Sequence, residues 1–246
     1  MQTAPSLLTA TEAQTLDQRF DQARTEDVLG WAWEKFGAKA AIGTSFQGAG
    51  IVIMNEARRA GLPLPVFTID TGLLFPQTVE LKRRLEDFFQ IEIEVLRPDQ
   101  TPEEQARDLG PRLWARNPDL CCTLRKVLPL QRKLASLSAW ITGLRRSQSS
   151  SRAEIGLVEL YPFDPIRDLQ ILKLNPLANW TADKVWEYVR HHGIPYNPLR
   201  DLGFRSIGCE PCTRAVGGAA GERAGRWIGF EKTECGIHTF LGTKLV

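Results

Sequence analysis

No stretch of the chain approaches the roughly 20 consecutive apolar residues that a membrane-spanning helix requires, so no membrane role is expected. Charge of one sign is also missing: 31 Lys and Arg stand against 29 Asp and Glu in 246 residues. A net charge of +2 excludes a protein held to nucleic acid by a broad basic surface. The opening residues, MQTAPSLLTATEAQ, lack the basic start and apolar run of a secretory signal. A soluble, cytoplasmic protein is therefore expected. There is no internal repeat and no low-complexity tract. Neither a G-x-x-x-x-G-K-[ST] phosphate loop nor a G-x-G-x-x-G dinucleotide fingerprint occurs. What is present is ordinary for a folded domain: 43% hydrophobic and 24% charged residues, in a length that gives ample core without disulfides.

Cysteine is scarce and informative. There are five: Cys121, Cys122, Cys209, Cys212 and Cys235. An odd number in a chain without an export signal argues against structural disulfides and for metal binding or catalysis. Cys209-Glu210-Pro211-Cys212 has a standard metal-ligand spacing. Cys121 and Cys122 are adjacent, so their side chains diverge and reach separate irons of a bulky cluster more easily than one tetrahedral ion. An iron–sulfur cluster leads on this reading, with zinc second. Four incidental buried thiols are the bland alternative.

Strand-like and helix-like segments alternate along most of the chain. Residues 1–37 read as helical, with apolar positions recurring through Leu16, Phe20, Val28, Leu29, Trp31 and Phe36. Strands are expected at 39–42, 66–69, 91–96, 139–142 and 170–174. Helices are expected at 51–60, 76–89, 101–108, 123–135 and 181–192, the third capped by Thr101 and the last ended by Gly193. Such alternation implies an α/β fold with a doubly wound, mostly parallel sheet and helices on both faces. After Pro195 the pattern fades into loops rich in Gly, Arg and Cys. Ligands of such sheets sit beyond the carboxyl ends of the strands, so the turns GTSFQGAG, IDTGLLFP and ITGLRRSQSSSR are expected to converge on one crevice. The seven Trp read as core.

Basic residues gather near the cysteines and turns: Arg125 and Lys126, then Arg145, Arg146 and Arg152, then Arg214, Arg223 and Arg226. Basic residues usually end as solvated surface. In a nearly neutral chain this gathering instead suggests a small, multiply charged anionic ligand. Cys235 lies in Glu234-Cys235-Gly236-Ile237-His238, where a thiol beside a His suits a nucleophile, with a spare thiol as the alternative. His191 and His192 fit a solvated helix end better than catalysis.

Together these segments resemble the assimilatory adenylyl-sulfate reductases, within the family shared with phosphoadenylyl-sulfate reductases. The resemblance runs from about Ala40 to His238. It is carried by TSFQGA at 44–49, IDTGLLFP at 69–76, the Cys pair with Lys126, GLRRSQS at 143–149, GCEPCTR at 208–214, RAGRW at 223–227 and ECGIH at 234–238. It implies a fold similar to the N-type ATP pyrophosphatases, with a modified PP-loop at Ser45 to Ala49. It implies a [4Fe-4S] cluster on Cys121, Cys122, Cys209 and Cys212, the ligands that mark the branch using adenylyl sulfate.

By the same resemblance Ser45 and Gln47 face the nucleotide, Ile69 and Gly143 lie against adenine, and Arg152 contacts the ribose or phosphate region. Lys126, Arg223, Arg226 and His238 surround the phosphosulfate, and Cys235 is the nucleophile. The implied activity is reduction of adenosine 5′-phosphosulfate to sulfite and AMP with thioredoxin, or a glutaredoxin-like protein, as reductant. Alternatives are a phosphoadenylyl-sulfate reductase, a PP-loop tRNA-thiolation enzyme and a zinc-stabilised nucleotide-binding protein. The expected organisation is an N-terminal helical segment at 1–37, an α/β nucleotide-binding and iron–sulfur domain at 38–215, and a mobile C-terminal segment at 216–246 carrying the nucleophile. A homo-oligomer is expected.

Overall fold

The computed structural model describes residues 8–217, 221–234 and 236–238. In chain order its elements are α1 (Ala10–Phe20), α2 (Thr25–Phe36), β1 (Ala40–Gly43), α3 (Gly48–Arg59), β2 (Val66–Ile69) and α4 (Pro76–Phe89). Next come β3 (Ile93–Leu96), α5 (Pro102–Leu109), α6 (Leu113–Arg116), α7 (Pro118–Cys122) and α8 (Leu128–Leu134). The series closes with β4 (Ala139–Ile141), β5 (Val158–Asp164), β6 (Leu169–Leu174) and α9 (Ala182–His191).

The strands stand in the order β3-β2-β1-β4-β6-β5. All neighbours pair in parallel except β5, which runs antiparallel to β6 at one edge. Side chains alternate between the two faces of a strand, and the core divides accordingly. Ala40, Ile42, Ala139, Ile141, Leu172 and Leu174 join the larger core with α1 to α4 and α9. Ala41, Trp140 and Ile171 face the opposite layer with Leu130 and Leu134 of α8. The doubly wound α/β reading is correct, and β2 and α4 have the bounds read from the sequence.

Three local readings need correction. The N-terminal helical stretch is two helices: Phe20 ends α1 in the core, its ring edge-on to Trp31, and Arg24 turns extended before α2 begins. Cys121 and Cys122 lie on a helix, α7, which continues through a π-helical turn, Thr123–Val127, into α8. The edge strand β5 was not foreseen. Its Pro162 removes a backbone donor, which an edge strand tolerates, and its polar Glu159 and Asp164 hide the period-two pattern.

Candidate active site

The strand order reverses beside β1: β2 lies on one side of it and β4 on the other. At the carboxyl ends of these strands is a cavity of about 180 Å³. Gly43 at the end of β1 with Thr44 and Ser45 after it, Ile69 at the end of β2 with Thr71 beyond, and Thr142, Gly143 and Leu144 after β4 wall it. The three turns expected to converge do so. Close approach makes two of the glycines obligatory. A Cβ on Gly143 would stand 2.9 Å from the Gly50 nitrogen, and one on Gly43 would stand 2.4 Å from Trp140 Nε1.

The remaining wall comes from α8's approach and from the segment after Pro195. Lys126, Gln148, Arg152, Cys209, Glu222, Arg223, Arg226 and His238 all line the cavity. Every predicted nucleotide contact is therefore on one wall or another. Gln47 and Arg152 are already engaged within the protein. The Gln47 amide donates to the Ile207 carbonyl (2.9 Å) and accepts from its N–H (3.2 Å), pinning the segment before Cys209. Arg152 donates from Nε and Nη2 to Glu234 (2.9 and 2.7 Å) and from Nη1 to Gln148 (2.5 Å).

A second, smaller hollow adjoins the first. Cys121, Cys122, Cys209 and Cys212 line it, together with Arg125 and Lys126. Lys126 and Cys209 are shared by both hollows. An antiparallel bridge between Leu74 and Cys209 brings the C-x-x-C loop to this place, and Thr71 Oγ1 lies 3.3 Å from Cys209 Sγ. Arg125 is buried and fastens the helix to the turn after β2, donating to the Thr71 carbonyl (2.5 Å), Gln105 (3.0 Å) and the Gln100 carbonyl (3.2 Å).

Burial, then the proximity of Cys209 and Cys212, pushes the Cys121 thiol up to about 11, against the pull of Lys126 and Arg125. Burial and Cys209 also raise Cys212. Bare thiols placed so are protonated at neutral pH, and a metal would have to displace the protons. Among the described residues no three Cys, His, Asp or Glu side chains converge on the position of a single metal ion. Four soft thiols around one hollow, with no oxygen ligands among its lining residues, fit a thiolate-held cluster in their donor chemistry.

The positive side of the cavity is organised by acidic partners. Arg145, 2% exposed, donates from Nη2 to both carboxylate oxygens of Glu222 (2.6 and 2.7 Å), next to Arg223 in the chain. Arg226 lies over the Trp227 ring at 4.5 Å, and its Nε has no hydrogen-bond partner among the described residues. His238 is half-buried and stacks on Trp140 with ring centroids 5.1 Å apart. Burial, then the charges of Lys173, Arg152 and Arg223, hold it well below the usual histidine range, so it is neutral. Its Nδ1 also lacks a partner among the described residues. Cys235 lies outside the described residues.

A model of the phosphoadenosine phosphosulfate reductase domain matches residues 39–215. The chain belongs to that family. An adenosine 5′-phosphosulfate reductase of Salinibacter ruber is 42% identical over 231 residues, covering 94% of this chain and 90% of that protein. One of Halalkalibacterium halodurans is 39% identical, covering 91% and 95%. A phosphoadenosine 5′-phosphosulfate reductase of Gloeobacter violaceus is 41% identical, covering 93% and 94%. Among solved structures, a family member from Candida auris, a phosphoadenylyl-sulfate reductase crystallised with phosphate, aligns with TM-score 0.72 and 31% identity over 86% of this chain and 99% of its own. The FMN adenylyltransferase of Candida glabrata aligns with TM-score 0.57 at 13% identity, a likeness of fold alone.

Sequence reasoning missed Trp140 and Glu222, which line the cavity, and Glu234, the partner of Arg152. Trp140 reads as core because it sits between two core residues. Its alternate direction on β4, visible from period-two counting, was the available signal. Glu222 and Glu234 each abut residues already singled out.

Proposed function

We propose that this chain reduces adenosine 5′-phosphosulfate to sulfite and AMP through a covalent S-sulfo intermediate on Cys235. The observation that carries this reading is the shared wall. Lys126 and Cys209 border both the cavity at the sheet's reversal point and the four-thiol hollow, so a multiply charged nucleotide and a cluster would sit side by side. Ser45, Ile69 and Gly143 offer a slot for the adenosine part. Lys126, Arg223 and Arg226, with His238, offer positive charge and polar atoms for the phosphosulfate.

The Cys235 thiolate attacks sulfur, the bond from sulfur to the phosphate oxygen breaks, and AMP departs with the electron pair. A reductant thiolate then attacks the Cys235 sulfur and sulfite leaves. A second thiol of the reductant resolves the mixed disulfide and restores Cys235. A dithiol protein such as thioredoxin or a glutaredoxin-like protein supplies both thiols, and the reaction belongs in a cytoplasm that keeps them reduced. The four ligands of a [4Fe-4S] cluster would be Cys121, Cys122, Cys209 and Cys212. When bound, it would tie the α7 end to the C-x-x-C loop through iron–thiolate bonds.

The second reading, a phosphoadenylyl-sulfate reductase, is favoured by the Gloeobacter violaceus relative's name. Anaerobic turnover with each nucleotide in turn, measuring sulfite, separates the two. Adenosine 5′-phosphosulfate is expected to give the higher kcat/KM, by at least tenfold. A preference for the 3′-phosphorylated nucleotide would overturn the reading. Release of no sulfite from either would overturn both.

A further inference from the structure

Two anchors hold the chain on either side of residue 235. The upstream anchor is Glu234, whose side chain is 9% exposed. Its carboxylate accepts from Arg152 Nε and Nη2, from Ser151 Oγ (3.1 Å) and from Arg223 Nη2 (3.1 Å). Arg223 also donates to the Thr233 carbonyl (2.9 Å). The downstream anchor is built on the opposite layer of the sheet. Tyr161 on β5 donates its hydroxyl to the Ile237 carbonyl (3.2 Å), and His238 stacks on Trp140 of β4. Lys173 on β6 lies 4.4 Å from the Tyr161 ring centre and pairs with Glu159 at 3.1 Å, fixing that ring from behind.

The two arginines of the upstream anchor are also walls of the nucleotide cavity. Arg152 has three of its five N–H groups committed to Glu234 and Gln148. A side chain so engaged is organised around the tail before it is organised around any ligand. Burial raises the Glu234 carboxyl, and the hydrogen bonds and charge of Arg152, with the charge of Arg223, pull it down further, leaving it below the usual range. It is ionised at neutral pH. A bidentate, charge-assisted pair is directional as well as strong, which suits it to setting the path of a backbone.

We propose that Glu234 is a positioning residue for the transfer of the sulfo group: with Arg152 and Arg223 it fixes the chain entering Cys235, while Tyr161 and Trp140 fix the chain leaving it. On this view Arg152 serves the substrate indirectly, by way of the carboxylate. The inference rests on the proposed reaction, and it assigns the two half-reactions different requirements. Sulfo transfer to Cys235 needs a held geometry, because effective concentration falls steeply with small misplacement. Sulfite release by an external thiol needs only access.

The test uses the full chain, handled anaerobically, with Glu234→Gln and Tyr161→Phe. The first removes the charge and keeps the shape. The second removes the hydroxyl that reaches the Ile237 carbonyl and keeps the ring. Adduct formation is followed by mass spectrometry without reductant, at saturating adenosine 5′-phosphosulfate, as a gain of about 80 Da, the mass of SO₃. Release is followed separately, by adding thioredoxin to adduct formed to completion. Glu234→Gln is expected to form the adduct at least tenfold more slowly and to release sulfite at the wild-type rate or faster. Glu234→Asp should recover part of the loss, and Tyr161→Phe should show the same split with a smaller effect. An adduct rate for Glu234→Gln within twofold of wild type would overturn the inference while leaving the reaction intact. Equal slowing of both half-reactions would also overturn it, since that marks general damage. Absence of any adduct on wild type would overturn the reaction and this inference with it.

Discussion

Arg145 and Lys126 show how differently a basic residue can serve the same cavity. Arg145 is 2% exposed and its partner Glu222 is 24% exposed in the side chain. Such a pair does not contribute much over a well-packed apolar substitute, yet breaking it strands a buried charge. Glu222→Gln, which strands the buried Arg145 charge, should therefore lower stability by about 3 kcal/mol, read from the urea midpoint. It should also weaken AMP binding, because Glu222 precedes Arg223 in the chain. Unchanged AMP affinity would show that the pair has no bearing on the cavity. Lys126 is 9% exposed and sits in the π-helical turn, where both hollows meet. Lys126→Ala should slow adduct formation and leave thioredoxin-driven release of sulfite from preformed adduct unchanged. Equal loss in both steps would place Lys126 in the scaffold.

At the scale of elements, the segment 236–238 is held by the stack of His238 on Trp140 and by the Tyr161 hydroxyl rather than by secondary structure. That gives its docking a pH dependence with a definite sign. An undocked His238 takes up a proton near its ordinary 6.5, whereas the docked one resists protonation until well below it. Docking is therefore at full strength above about 6.5 and weakens as pH falls below that value. Glu234, held ionised below the usual carboxyl range, lets go only in more acidic solution. Tryptic cleavage after Lys232, normalised to an unstructured peptide at each pH, should accelerate between pH 7.5 and about 5.5. No acceleration would remove His238 from the docking energy.

The same scale explains what could be read in advance. β2 and α4 were legible to the residue because an apolar strand run and a proline-started amphipathic helix each have one reading. β5 was not, since edge strands need not alternate strictly and tolerate Pro162. The site's residue types were legible from the cysteines, turns and arginines. Its acidic half was not, because the bidentate partner of Glu234 and the ion-pair partner of Glu222 lie 82 and 77 residues away in the chain.

For the whole molecule, the arrangement separates what holds the fold from what completes the cavity. The larger core is made of residues from Ala13 to Ile194, with the sheet at its centre. The segment after Pro195 adds Cys209, Trp227 and the cavity's far wall on top of that core. A chain stopped after Val216 should keep a single cooperative thermal transition. The loss of the buried Trp227 and its neighbours, costing about 3 kcal/mol, should lower Tm by roughly 6–12 °C. It should no longer bind AMP measurably by calorimetry. Loss of the cooperative transition would show that the later segment belongs to the folding core. No helix of the described residues is long and apolar enough to cross a membrane.

The position of those wall residues in the chain has a consequence during synthesis. Every strand of the sheet is complete at Leu174, and Arg223, Arg226 and His238 are translated later. At about 5–20 residues per second, several seconds separate the last strand from His238. Once the larger core is complete at Ile194, the sheet can present its carboxyl edge, with the turns after β1, β2 and β4 in place and the far wall not yet made. The ribosome thus delivers a cradle before its cover, and a newly made chain passes through an open form that the finished one has left behind.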